Sequence, residues 1–187
     1  AGTAGSSSSC RRGSSGSRRS CRPPKAVFAF YAGSEAVTFV KQYDQLGLHE
    51  DIPFYATGFL TEGGALAAQG KSAEGIFTSL HYSSALDNET NAAFVEDYEV
   101  KNDGPPTVYS VQAYDAGAVL DKALEKGTSG DQIVEGLKST GEVDSPRGPW
   151  SFSDTQGPDQ TYYLRKVEKK GDAWTNVVEG ELTQPSS

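Results

Sequence analysis

The stretch Ala26–Leu60, AVFAFYAGSEAVTFVKQYDQLGLHEDIPFYATGFL, decides the fold, because it reads as strand, turn, amphipathic helix, strand and second turn. The runs Ala26–Phe30 and Ile52–Ala56 are apolar without alternation, the pattern of parallel strands covered on both faces. Between them Val37, Val40, Tyr43 and Leu46 form one helical stripe, entered behind Ser34 as N-cap and stopped at Gly47. Parallel strands point the same way, so Tyr31-Ala32-Gly33 and Thr57-Gly58-Phe59 emerge at one carboxyl edge, where open α/β sheets hold ligands.

Charge divides the chain. All 25 acidic residues lie beyond Lys25, whereas Arg11, Arg12, Arg18, Arg19, Arg22 and Lys25 crowd the first 25 of the 187 positions. Residues 1–24 are Ser, Gly, Arg and Pro with little to bury, so they read as a disordered or artefactual tail. An acidic body repels nucleic acid and the tail has no aromatic residue for base stacking, so no nucleic-acid partner is expected. Cys10 and Cys21 both fall in this tail, where a disulfide would staple only the tail. As metal ligands they lack nearby partners, since a structural zinc needs four, so neither metal nor cofactor is expected. No apolar run approaches the roughly 20 residues of a membrane helix, and no signal peptide is visible. The absence of Met fits a processed chain or a fragment.

Beyond Leu60 the pattern continues with a short helix over Thr61–Gln69 and a third strand over Gly75–Tyr82, whose exit at Tyr82 joins the same edge. Helices are expected from Asn88 (inner face Ala92, Ala93, Val95, Tyr98), over Val108–Lys126 (Val111, Tyr114, Ala118, Leu120) and over Asp131–Lys138 (Ile133, Val134, Leu137). Asp87 or Asn88 is the N-cap of the first. Strands are expected at Trp150–Phe152, Gln160–Val167 and Trp174–Val178, the last two joined as a hairpin. The chain thus leaves the first sheet near Tyr82 and returns near Ser145. His49 beside Asp51, and His81 beside Ser79 and Ser83, have no nucleophile elbow or third orienting group, so no catalytic residue is expected.

The words VFAFYAGSEAVTFVKQYDQLGL, IPFYATGFLTEG, AEGIFTSLHY, DNETNAAFVEDYEVKNDGPPTVYSVQAYDAGAVLDKAL and DSPRGPWSFSD, in this order, resemble the carboxyl-terminal half of type I periplasmic binding proteins, the solute receptors of branched-chain amino acid ABC transporters. The resemblance implies an α/β fold with a parallel sheet, flanking helices and an incomplete two-lobe architecture. Residues 25–84 would belong to the second lobe, 85–142 to the helical part of the first, and 143–187 to strands crossing back. It also implies an extracytoplasmic, non-enzymatic protein that binds a small amino acid, carboxylate or amide by hinge closure and delivers it to the membrane subunits of an ABC transporter, with no membrane insertion of its own. The same lobes also serve as ligand-sensing parts of receptors and regulators. Carried over by position, the ligand residues are Tyr31, Ala32, Gly33, Thr57, Gly58, Phe59, Tyr82, Tyr109 and Gln112. Gly58 stands where leucine-type binders place an acid to pair the ligand ammonium, so an aromatic acid fits as well as leucine. Tight binding is expected only with a full first lobe.

Overall fold

The computed structural model describes residues 24–182; the tail that carries Cys10 and Cys21 therefore lies outside the described residues. The opening unit forms as the pattern requires, with strand β1 (Val27–Ala29), helix α1 (Gly33–Gln45) and strand β2 (Phe54–Thr57). Helix α1 buries Ala36, Val40 and Tyr43 against Phe54 and Ala56, and the Tyr43 hydroxyl donates to the Ile52 carbonyl at 2.8 Å. The helix ends where Gly47 takes a left-handed φ of 66°, which only glycine adopts without strain. Its start differs from the expectation: Ala32 is the N-cap, and Ser34 lies inside the first turn. Leu46 is exposed rather than part of the stripe.

The sheet is covered on one face only among the described residues, which corrects the reading of β1 and β2. Register places Phe28 beside Tyr55, and Tyr55 beside Phe77 of strand β3 (Phe77–Leu80). Phe28 is 72% exposed and Tyr55 41%. An apolar run without alternation reports that both faces are apolar; it does not say what covers each of them.

Between β2 and β3 the chain makes a 3-10 turn at Gly58–Thr61, helix α2 (Gly64–Gln69) and a second 3-10 turn at Gly70–Ala73. It then leaves the sheet for helices α3 (Glu89–Lys101), α4 (Val108–Leu124) and α5 (Gly130–Lys138). Asn88 caps α3 by accepting from the Asn91 backbone N–H at 2.7 Å. Ser129 and Gln132 close a reciprocal capping box on α5. A two-stranded pair, β4 (Ser151–Phe152) with β5 (Pro158–Asp159), precedes the hairpin of β6 (Tyr162–Lys170) and β7 (Ala173–Leu182). The five-stranded sheet has the order β1-β2-β3-β6-β7, with β1 to β3 parallel and the hairpin antiparallel. The return to the sheet therefore comes at Tyr162 rather than near Ser145.

The inner faces of the helices are displaced from those expected. Helix α3 turns Asn91 inward and leaves Ala92 and Ala93 exposed; α4 buries Val108, Val111, Asp115, Val119 and Ala123 and exposes Tyr114 and Leu120. In both cases a polar residue occupies the inner stripe, which a hydrophobicity pattern assigns to the outside. Val134 of α5 is exposed, and the contact with α4 runs through Gly136, where an added Cβ would lie 2.4 Å from the Ala123 carbonyl oxygen. Gly136→Ala is expected to destabilise the protein by about 1–3 kcal/mol in urea unfolding, whereas Val134→Ala should shift it by less than about 0.5 kcal/mol.

Candidate functional site

The carboxyl rim of the sheet is built around a buried guanidinium. Arg165 of β6 is 1% exposed; its Nη1 donates to Glu62 Oε2 at 3.1 Å and to the Tyr82 carbonyl at 2.7 Å, and its Nη2 donates to the Gly58 carbonyl at 3.1 Å. Nε donates to Thr78 Oγ1 at 3.3 Å. One side chain thus satisfies carbonyls at the exits of both β2 and β3. The second Glu62 oxygen accepts the backbone N–H of Val108, the first residue of α4, at 2.8 Å. Glu62, which precedes α2 in the chain, thus serves the start of α4. Asn176 of β7 pins the same segments further on: its Nδ2 donates to the Thr61 carbonyl at 2.8 Å, Thr61 Oγ1 donates to its Oδ1 at 2.7 Å, and Ser83 donates to its carbonyl.

This geometry explains Gly58. The residue is buried, and a Cβ there would lie 2.5 Å from Leu80 Cβ and 2.7 Å from Arg165 Nη2. An acidic side chain has no room. Tyr82 is fully buried with Leu80, Val108 and Val111, and its hydroxyl donates to Asn91 Oδ1 at 3.0 Å; burial and then the Glu62 charge push its pKa up. Tyr82 thus lies beneath the rim. Phe59 and Tyr109 come together, with ring centroids 6.3 Å apart, and Gln112 Nε2 lies 3.4 Å from His81 Nε2. Tyr31 stacks on Phe39 at 4.9 Å, while Ala32 and Gly33 are exposed at the entry to α1. Thr57 pairs in register with Ser79 on the sheet side that carries Tyr55, but it is half-buried there and its Oγ1 is shielded from solvent. Of the nine positions, then, Phe59 and Tyr109 make one aromatic pair and Gln112 flanks it on α4.

Below Gln112 a cleft of about 480 Å³ is lined by His81, Asp115, Leu120, Arg147 and Trp150 among others. Arg147 Nε sits 2.7 Å from Asp115 Oδ2, its guanidinium lies 4.4 Å above the Trp150 ring, and its Nη1 donates to Gln160 Oε1. Burial raises the Asp115 pKa, and hydrogen bonds from Ser145 and the Arg147 charge oppose the rise. These partners escaped sequence reading because Asp115, Arg147 and Arg165 carry no motif; the one available sign was an Asp at a helical core spacing. His49 is exposed and meets Asp44 at 3.2 Å, not Asp51. Among the described residues no group of three or more His, Cys, Asp or Glu side chains is placed to hold a metal ion. No described helix is long and apolar enough to cross a membrane.

Residues 22–172 match the family model of periplasmic binding proteins, and the chain belongs to that family. It is 36% identical over 157 residues to Leu/Ile/Val-binding protein homolog 6 of Brucella melitensis, covering 79% of this chain and 40% of that protein. It is also similar to an ABC-transporter solute-binding protein from R. palustris in complex with benzoate, at 38% identity and a TM-score of 0.72, covering 84% of this chain and 43% of that one. A second R. palustris solute-binding protein, in complex with 4-hydroxybenzoate, matches at 30% identity and a TM-score of 0.75, over 84% of this chain and 45% of the other. The chain spans less than half the length of these relatives. They are solute-binding proteins rather than enzymes.

Two outcomes follow from the rim. Arg165→Met strands the Glu62 carboxylate and is expected to cost about 3–5 kcal/mol in urea unfolding; adding Glu62→Met should recover part of that loss. The pKa of His81 is lowered to about 4, by burial first and then by the Arg147 and Arg165 charges. Folded His81 therefore binds fewer protons than in the unfolded chain, where its pKa is about 6.5, so stability is lost as pH falls through that window. Between pH 7 and 4.5 the wild type should lose about 2–3 kcal/mol more than His81→Gln, measured by urea unfolding at both values.

Proposed function

We propose that the chain is part of the extracytoplasmic solute-binding component of an ABC importer, that it takes a small aromatic carboxylate of the benzoate class into an interlobe cleft, and that it hands this solute to membrane subunits. The observation that carries the ligand class is the filled space at Gly58. An α-amino acid brings an ammonium group that wants a carboxylate partner, and leaving a charge of that kind unpaired costs about 2–5 kcal/mol. Packing of Leu80 and Arg165 keeps a side chain out of position 58, and both oxygens of Glu62 are already engaged. A benzoate has no ammonium to satisfy. Its ring suits the Phe59–Tyr109 pair, and the benzoate and 4-hydroxybenzoate complexes of the R. palustris relatives support the same class.

On this reading Phe59 and Tyr109 contact the ring, Gln112 hydrogen-bonds the ligand, and Tyr31, Ala32, Gly33 and Thr57 edge the cleft. Gly58 and Tyr82 shape the wall from behind. Calorimetry on this chain and on a form carrying a complete first lobe is the test. Benzoate should bind the longer form in the micromolar range, leucine at least about a hundredfold more weakly, and Tyr109→Ala should weaken benzoate about tenfold or more. Micromolar leucine binding with no heat from benzoate would sink the proposed ligand class.

A further inference from the structure

Glu62 joins the sheet-bearing part of the chain to the first residue of α4, a link separate from the Tyr82–Asn91 hydrogen bond that ties in α3 and from the Gln112–His81 contact further along α4. It stands after the 3-10 turn that follows β2, in the sheet-bearing segment, while Val108 opens α4 in the helical segment. Glu62 Oε1 accepts the Val108 N–H at 2.8 Å, and Oε2 is held at 3.1 Å by Arg165, itself anchored on the Gly58 and Tyr82 carbonyls. The Glu62 side chain is 6% exposed and that of Arg165 1%, so this bond is made away from water, where an unmatched charge is costly. The residue next to Val108 is Tyr109, and its ring meets Phe59, three residues before Glu62. The approach to α4 is Gly104-Pro105-Pro106-Thr107, and Thr107 and Ser110 cap the helix reciprocally. Helix α4 therefore has its own cap, and Glu62 is not required to start it.

We infer that Glu62, held by Arg165, is a latch: its bond to the Val108 N–H fixes the start of α4, and with it the packed α5, against the sheet rim and thereby sets whether Tyr109 faces Phe59. Glu62 and Arg165 are positioning residues for the cleft, acting through α4 rather than by touching solute. The consequence for ligand binding rests on the cleft proposed above, and the latch itself does not.

Val108 permits a narrow test. It is the first helical residue, where proline is well tolerated, and Thr107 already has the extended backbone (φ −110°, ψ 173°) that a following proline demands. Val108→Pro deletes the N–H that Glu62 accepts and spares the helix. Spin labels at Lys41→Cys on α1 and Glu135→Cys on α5, in a Cys10→Ser/Cys21→Ser background of the 187-residue chain, report the distance between the two segments by pulsed electron resonance. The wild type should give one narrow distance. Val108→Pro and Glu62→Gln should each broaden it and populate a longer one, with the helical circular-dichroism signal retained. The double variant should broaden the distribution no further than Glu62→Gln alone, because Glu62→Gln already disturbs the Arg165-held carboxylate whose bond Val108→Pro deletes. A Val108→Pro distribution as narrow as wild type overturns the latch, and so does an additive double variant, which would mean two unrelated structural losses. If Glu62→Gln loses its helical signal, Val108→Pro alone decides. Should benzoate give no heat with any form, the ligand class fails and the distances still judge the latch. If it binds, both single variants should weaken it roughly tenfold.

Discussion

The Arg165–Glu62 pair is the constraint on which the rim depends. Two parallel strands end side by side, and their carbonyls at Gly58 and Tyr82 turn inward beneath the hairpin, where water cannot reach them. Buried carbonyls must find donors, and Arg165 supplies several from one planar group. Its charge then needs a counter-charge, which is Glu62, and the remaining Glu62 oxygen reaches the first N–H of α4. A buried pair of this sort adds little net stability compared with apolar packing, while its directional bonds permit few alternative arrangements. Its effect is to set where the two exits and α4 sit relative to one another.

That placement governs the chemistry of the site. The guanidinium needs space under β2, and Gly58 provides it by having no side chain. Under the proposed function, the same glycine also leaves no acid for an ammonium ligand, which would couple architecture and ligand class at a single position. What is left at the rim is an aromatic pair, Phe59 with Tyr109, and an amide, Gln112, beside a histidine kept neutral by burial and by two neighbouring cations.

The helical segment is organised by the same principle of buried polar groups with assigned partners. Asn91 accepts from Tyr82 and donates to the Ser84 and Leu86 carbonyls; Asp115 pairs with Arg147, which in turn covers Trp150. Each stands at a core position of its helix. Hydrophobic spacing puts such residues outside, and for that reason the inner faces of α3 and α4 were misplaced while the helices themselves, the cap at Asn88 and the stop at Gly47 were legible.

Local signals therefore determined the order of strands and helices apart from β5, the βαβ unit and the β6–β7 hairpin, because periodicity, capping residues and glycine conformations act over a few positions of chain; the family came from the resemblance of whole sequence words. The open sheet face, the role of Gly58 and the partners of Glu62 were decided only in three dimensions. Arg165 lies 103 positions beyond Glu62, and no short-range pattern records which buried charge will meet which carbonyl. The reason is physical: burial removes water as the default partner, and the replacement is whichever group the packed elements bring within reach.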